Sequence, residues 1–358
     1  MRLSKPLPNP QPDVFSYRLN KVLCLALSPA RLLNYFRYRL SDRTESVSYF
    51  PIKLDFENVS RCNFRCSMCP VSEWDAGRRA DDLSYAEFKS ILDGQVGVIE
   101  IKLQGLGEPL LGKDEFFRMI RYARKKRIWV RTSTNASILD VNDNYRKLYD
   151  AGVNEIQISV DGVTKETYEA IRRGGSFERL VKNCTLINNY SRGKRPRPLM
   201  WVLLQKRNQH EFKQFIPFAY KLGFVRVCFA LDLNGWADKE WTAKNQTEIC
   251  GEISEQDILL AVEEGKKLGI NVGVWINTQK YSATAKTRLC PWPFERAFIS
   301  SDGKVVPCCI ISNPDTVSFG SARDFQSLWF GKVYTDFRRS HLAGAIPPFC
   351  SSCYEKSL

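Results

Sequence analysis

A chain of 358 residues, 44% hydrophobic and 26% charged, can bury a large core, which excludes a disordered protein and leaves room for an α/β barrel with an appendage. Fifty-three Lys and Arg against 39 Asp and Glu give a formal charge of +14, which points to an anionic partner without saying whether it is nucleic acid, lipid headgroups, a phosphorylated substrate or an acidic protein. The twelve cysteines are too unevenly spaced for a secreted disulfide scaffold, no cleavable leader is evident and Val22–Leu27 is too short to cross a bilayer, so a cytoplasmic location is expected.

Residues 1–48 differ from the rest. Pro6, Pro8, Pro10 and Pro12 suggest an extended arm, and Arg31-Leu-Leu-Asn-Tyr-Phe-Arg-Tyr-Arg-Leu40 suggests an amphipathic helix. Arg31, Arg37 and Arg39 on such a helix suit a membrane surface or an acidic partner; alternatively the helix packs across the body of the protein with its arginines in water. From 49 to 280 strand and helix alternate. Apolar, β-rich runs fall at 52–59, 98–104, 128–134, 155–160, 199–205 and 225–233, and helical segments at 115–125, 177–188 and 211–222. Ser84 with Glu87 reads as a capping box ahead of Phe88 and Ile91. Six such units predict a parallel sheet with right-handed crossovers, a partial (β/α)6 TIM-like barrel, from which a helix at 254–268 and a strand at 270–276 lead out. Residues 191–198 read as a solvated loop, and residues 281–358 as a small cysteine-rich module.

Directly after the first strand comes Arg61-Cys62-Asn-Phe-Arg-Cys66-Ser-Met-Cys69-Pro70. Thiolates this close together bind a soft metal or a cluster, although a structural zinc completed from elsewhere and idle reduced thiols share the pattern. A four-iron cube on three cysteines keeps one iron open for chemistry. The Cys-x3-Cys-x2-Cys spacing after a first strand resembles the radical S-adenosylmethionine superfamily, and the resemblance extends over most of the chain. Gly105-Leu-Gly107-Glu108-Pro109 is similar to the family element that holds the methionyl amino group. Asn135, in Thr134-Asn-Ala136, and Ser159 and Asp161, in Ser159-Val-Asp-Gly162, resemble segments facing the ribose and carboxylate. Arg172 resembles the basic residue that pairs with the methionyl carboxylate, with Arg173 as the alternative. Met68 stands where the family has an aromatic residue near adenine, and a thioether can pack on a purine face. Independently of the family, all these polar residues fall where strands end, the catalytic face of a parallel barrel, though each taken singly also suits a capped turn.

Cys290, Cys308, Cys350 and Cys353 form a second set. Residues 297–300 and 304–306 flank Ser301-Asp302-Gly303, a hairpin signal that returns Cys308 towards Cys290. An amphipathic helix with Phe325, Leu328, Trp329, Val333 and Phe337 on one face then delivers Cys350 and Cys353. Four thiolates make a closed site, and a zinc ribbon has the same pattern. The module resembles the SPASM and twitch domains, closer to the single-cluster twitch form, which implies an auxiliary 4Fe-4S cluster; Cys309 is a spare that can replace Cys308. Cys24, Cys184, Cys228 and Cys250 read as buried small hydrophobes.

The resemblance implies a SAM-binding 4Fe-4S cluster, S-adenosyl-L-methionine, an electron donor such as flavodoxin or ferredoxin, and a 5′-deoxyadenosyl radical that takes hydrogen from a substrate. An auxiliary cluster suits a net oxidation, with Asp232 at the end of the sixth strand as a candidate base. No separate peptide-binding domain is evident, which favours a small polar alcohol of the sugar or aminocyclitol kind over a peptide as in the SPASM maturases. A basic iron-sulfur or zinc protein that binds RNA without radical chemistry is the reading from another class; it leaves Glu108, Asn135 and Ser159 unexplained, so nucleic acid is not the expected partner.

Overall fold

The computed structural model describes residues 14–355 apart from 234, 250, 252 and 277–279. The proline-rich arm and Cys250 lie outside the described residues. The strands are β1 (Lys53–Phe56), β2 (Glu100–Leu103), β3 (Trp129–Thr134), β4 (Glu155–Ser159), β5 (Leu199–Leu203), β6 (Arg226–Ala230), β7 (Asn271–Trp275), β8 (Arg296–Ile299), β9 (Lys304–Val306) and β10 (Gly320–Ser321). They form one sheet in the order β10-β9-β8-β1-β2-β3-β4-β5-β6-β7. The six barrel strands read from the sequence are β1 to β6, and helices between them cover the outer face.

Two strands join this parallel run that sequence order did not place there. The 270–276 segment does not lead away from the barrel; β7 pairs with β6 in register from Arg226↔Asn271 to Ala230↔Trp275. On the other flank β8 pairs parallel with β1, Leu54 opposite Ala297 and Phe56 opposite Ile299. The hairpin of the cysteine-rich segment thus extends the barrel sheet.

Side-chain alternation sorts each strand into an outer and an inner set. Leu54, Phe56, Ile101, Leu103, Val130, Ile156, Ile158, Met200 and Val202 face the helices and are essentially inaccessible, each contributing roughly 1.5–3 kcal/mol by burial. The alternate positions, Lys53, Asp55, Glu100, Lys102, Arg131, Glu155 and Gln157, face the lumen. Its floor is an ion-pair network. Arg131 joins Glu100 (3.2 Å) to Glu155 (3.2 Å), and Lys53 lies 3.8 Å from Glu100.

The N-terminal segment forms two helices, α1 (Val14–Ala26) and α2 (Pro29–Leu40), where the sequence suggested one. Ser28 caps α2 by accepting from the Arg31 backbone N–H, and Pro29 sits at its first position. The pair closes the N-terminal end of the barrel. Tyr17 Oη donates to Glu100 at 3.0 Å, Asn20 reaches the Arg127 carbonyl at 2.8 Å, and Asn34 exchanges two bonds with the Phe50 backbone. Arg31 is not in water: it is buried, donating to the carbonyls of Cys24 and Lys126.

Two helices read as continuous are broken. The 211–222 segment is a 3-10 turn (Gln209–Gln214) followed by Phe215–Lys221, because Pro217 has no N–H to continue an α-helix through it. The 325–337 helix splits into Phe325–Phe330 and Lys332–Leu342 at Gly331, whose ψ of −170° is extended and whose position lies against the Ser327 carbonyl. The Ser84–Glu87 capping box is present, and Cys24, Cys184 and Cys228 are buried as expected.

Burial raises the Glu100 carboxyl, but Lys53, Arg131 and Arg296 more than offset it and hold the group at about 2. A folded value depressed below the ordinary 4.5 stabilises the protein above that pH and loses the contribution as pH falls towards 2. Acid denaturation should therefore show a loss of about 3 kcal/mol between those limits. Glu100→Gln should flatten that part of the stability profile, as read by urea unfolding at a series of pH values.

Candidate active site

The loop after β1 is fixed from two sides. Arg65 and Ser67 donate their backbone N–H groups to the carbonyls of Arg173 (2.8 Å) and Ile171 (3.0 Å), and Cys62 donates to the Gly77 carbonyl. On the other side Gly107 lies so near this loop that a Cβ there would stand 2.3 Å from the Val59 carbonyl and 2.5 Å from that of Arg61. A Cβ on Gly105 would strike the Glu57 side chain. The glycines are therefore needed for close approach of β2's loop to the cysteine loop.

Cys66 is buried and Cys62 and Cys69 half-buried. Burial pushes the Cys62 thiol up to about 12 and raises Cys66 and Cys69 as well, so these groups become thiolates only against a cation. N–H groups already point at the sulfurs: Phe64 at 3.4 Å and Asn135 Nδ2 at 3.8 Å from Cys62, and Arg172 Nη1 at 3.7 Å from Cys66. Donors of this kind around clustered thiols fit an iron-sulfur group. Among the described residues no three of His, Cys, Asp or Glu are gathered as tightly as the ligands of one ion; a four-iron cube spaces its thiolates more widely.

Around the loop the structure gathers most of the polar residues read from the sequence. Glu108 is buried, accepting from Thr134 Oγ1 (2.7 Å), the Asn135 backbone N–H (2.7 Å) and the Leu110 N–H (3.3 Å). It does cap the turn that starts at Pro109, and it also ties β2's loop to the end of β3. Three donors leave one of roughly four acceptor directions unused. Burial outweighs those donors and lifts its carboxyl to about 7. Asp161 is no ordinary turn residue: fully buried, it pairs with Arg172 at 2.5 Å and accepts from the Leu203 N–H at 2.8 Å. Arg172 is thereby turned in towards Cys66, while Arg173 is exposed and bonds the Arg65 carbonyl. Ser159 is half-buried at the end of β4. Met68 is buried with Phe64, Cys66, Ile171 and Trp241 in an apolar cluster against which Cys62 and Cys69 pack.

The second cysteine set forms where the hairpin runs back. Val306 is level with Phe298, which is level with Asp55, so Cys308 lies two residues nearer the N-terminal ends of the parallel strands. Cys290 precedes β8 on the same side, and its N–H donates to Tyr354 Oη at 3.1 Å. Tyr281 pairs with the chain at Cys353 and Glu355 through two backbone bonds, which brings the 350–353 turn to this place. Burial raises all five thiols, Cys290 to about 12 and Cys309 to about 11, and all but Cys353 are raised further by the charge of others in the set. Cys308 is under the influence of Cys350 and Cys290, whereas Cys309 faces Asp55, Lys102 and Arg296 in the lumen.

Asp232 acts electrostatically on Lys280 and Cys353, and Lys280 Nζ rests 4.0 Å over the Trp275 ring. Sequence reasoning missed Lys280, Trp275, Asp55 and Lys102. For the last two a signal existed: Lys53-Leu-Asp-Phe56 and Glu100-Ile-Lys-Leu103 alternate charge with apolar residues, whereas a parallel strand buried on both faces reads as continuously apolar. Asp55 Oδ2 is buried without a hydrogen-bond partner among the described residues.

Residues 59–219 match the family model of the radical SAM superfamily, and residues 290–354 that of the SPASM iron-sulfur cluster-binding domain. Mycofactocin maturase MftC of Mycobacterium tuberculosis is 26% identical over 326 residues, 88% of this chain and 78% of its own. The PqqA peptide cyclase of Rhodopseudomonas palustris is 25% identical over 320 residues, 86% of this chain and 80% of its own. Among solved structures, Streptococcus suis SuiB bound to its precursor peptide SuiA superposes with a TM-score of 0.62 at 15% identity, covering 82% of this chain and 67% of that one.

Proposed function

Because the chain belongs to the radical S-adenosylmethionine superfamily and carries an iron-sulfur SPASM domain near its C-terminus, we propose that it is a maturase that modifies a peptide side chain. The observation that carries this reading is the likeness, along most of the chain, to enzymes named for peptide maturation and peptide cyclisation. It supports a peptide better than the small polar alcohol, and an enzyme of this superfamily takes the place of an RNA-binding protein without radical chemistry. When bound, the first cluster and S-adenosylmethionine supply a 5′-deoxyadenosyl radical that removes hydrogen from the substrate.

The chain's own residues have distinct tasks in this reading. Cys62, Cys66 and Cys69 hold the first cluster. Glu108, with its unused acceptor direction, receives the methionyl ammonium beside Gly107 and Pro109, while Asn135 and Ser159 face the ribose and carboxylate. Asp161 fixes Arg172, so that the guanidinium adds positive charge next to Cys66. Cys290, Cys308, Cys350 and Cys353 hold the auxiliary cluster, with Cys309 in reserve at the lumen. Asp232, whose charge acts on Lys280 and Cys353, would accept the proton released when the substrate is oxidised, on the side of the cysteines that would hold the auxiliary cluster.

Anaerobically reconstituted protein is expected to hold about eight irons per chain by the cubane count. Joint substitution of Cys350 and Cys353 by Ala should leave about half, with cleavage of S-adenosylmethionine retained; zinc at the second site refutes the auxiliary cluster. Glu108→Gln replaces a charge-assisted bond by one about half as strong, so cofactor affinity should fall in a direct binding measurement. In the wild type affinity should also fall below about pH 7, by up to about tenfold per unit, because the carboxyl must shed a proton to meet an ammonium, and the Gln variant should lose this slope. An unchanged affinity in the variant moves the amino contact elsewhere. The substrate class is read from isotope transfer. Reduced enzyme is given peptide and small-molecule fractions from deuterated cells, and deuterium should reach 5′-deoxyadenosine from the peptide fraction only, with protease treatment of that fraction abolishing it. Transfer from the small-molecule fraction alone returns the assignment to alcohol oxidation.

A further inference from the structure

The helices α1 and α2 bury one stripe and expose another. Inward go Asn20, Cys24, Leu25, Arg31 and Asn34, which make the contacts that close the barrel floor. Outward, at helical spacing, go Phe15, Leu19 and Val22 on α1 and Leu33, Phe36 and Leu40 on α2, with Phe15 73% and Leu40 81% exposed. Single exposed apolar residues are common, but two adjacent helices that both turn large apolar side chains outward make a patch, and patches mark interaction surfaces. The charges beside it have one sign. Residues 14–41 contain Arg18, Lys21, Arg31, Arg37 and Arg39 and no Asp or Glu.

We infer that this hairpin is an interfacial anchor that seats the enzyme on an anionic lipid bilayer. Neither helix is long and apolar enough to cross a membrane, so they lie in the interface plane with the apolar stripe among the acyl chains. Exposed Arg18, Arg37 and Arg39 then reach up to the headgroups by their flexible stems. A patch of aliphatic and aromatic side chains, flanked by cations and containing no hydrogen-bonding carboxylate or amide, fits hydrocarbon below a layer of phosphate better than it fits the mixed polar surface of an acidic protein. The placement has a consequence for access. The hairpin caps the N-terminal ends of the strands, so docking leaves the opposite rim, with the Cys62–Cys69 loop and Glu108, facing the water.

The test is co-sedimentation of the reconstituted full chain with vesicles of phosphatidylcholine alone and of phosphatidylcholine with phosphatidylglycerol. Binding to the anionic vesicles, weaker on neutral ones and declining as salt rises, is expected. Joint Phe15→Ser, Leu19→Ser and Phe36→Ser should lower it on the order of a hundredfold, with iron content and S-adenosylmethionine cleavage unchanged. Should that variant fail to fold, Arg37→Glu with Arg39→Glu, both at exposed positions, should abolish the preference for anionic lipid. Wild-type protein that stays in the supernatant, or variants that bind as the wild type does, overturn the inference. So does a wild-type dimer that the apolar variant turns into a monomer, since the patch then covers a second copy.

Discussion

The parallel pairing of residues 296–299 with 53–56 is the contact on which the arrangement of the two cysteine sets depends. It fixes the direction of β8 relative to β1. The chain leaves β1 at its C-terminal end and enters the Cys62–Cys69 loop at the rim, whereas Cys290 enters β8 at the opposite end and the antiparallel return of β9 carries Cys308 back towards it. Two cysteine sets that are remote in sequence thus come to lie at different levels of one lumen. Were the hairpin paired in the other sense, Cys290 would sit at the rim and nothing would hold thiols near Asp55 and Lys102.

That lumen is unusual in its chemistry for a parallel barrel, whose interior is ordinarily filled with branched apolar side chains. Here the floor is charged, and burying charges rarely adds stability over a well-packed apolar alternative. The network of Lys53, Glu100, Arg131 and Glu155 compensates itself, and Tyr17 of α1 closes it from below. One layer higher the compensation is incomplete. Burial raises Asp55 and lowers Lys102, and one Asp55 oxygen has no hydrogen-bond partner among the described residues. A carboxylate oxygen left unsatisfied in the lumen retains a hydrogen-bonding capacity that the surrounding described side chains do not use.

How much of this was legible in the sequence depends on whether the information is local. The Cys62, Cys66 and Cys69 spacing, the Ser84 capping box and the turn at Gly303 (φ of 70°) are decided within a few residues, and the structure has them where the pattern put them. Pairing is not local. Nothing in residues 270–276 says that they add to β6, and nothing in 296–299 says that they add to β1. The broken helices at Pro217 and Gly331 could have been read from those residues, but a strong apolar periodicity ran across both and masked them. For the site, the family resemblance singled out Glu108, Asn135, Asp161 and Arg172, the first three just beyond strand ends and Arg172 at the C-cap of the helix Lys165–Ile171, and the fold gathers them around the first loop. The choice between Arg172 and Arg173 needed the structure, because the two differ by one position and only the buried Asp161 carboxylate selects which guanidinium turns inward.

The same contrast between local and remote information governs the N-terminal hairpin. Its amphipathic pattern is plain in the sequence, but a pattern shows only that a helix has two faces, not what lies against each. Packing resolves one of them: Tyr17, Asn20, Arg31 and Asn34 are consumed by the barrel floor, which is why an arginine expected in water is buried against two carbonyls. With those polar residues and Cys24 and Leu25 facing inward, Phe15, Leu19, Val22, Leu33, Phe36 and Leu40 face out, and among the described residues nothing covers them. Closing the end of a polar lumen with polar side chains therefore turns the other, apolar stripe of the closing helices to the outer face, the kind of contiguous apolar surface that marks an interaction site.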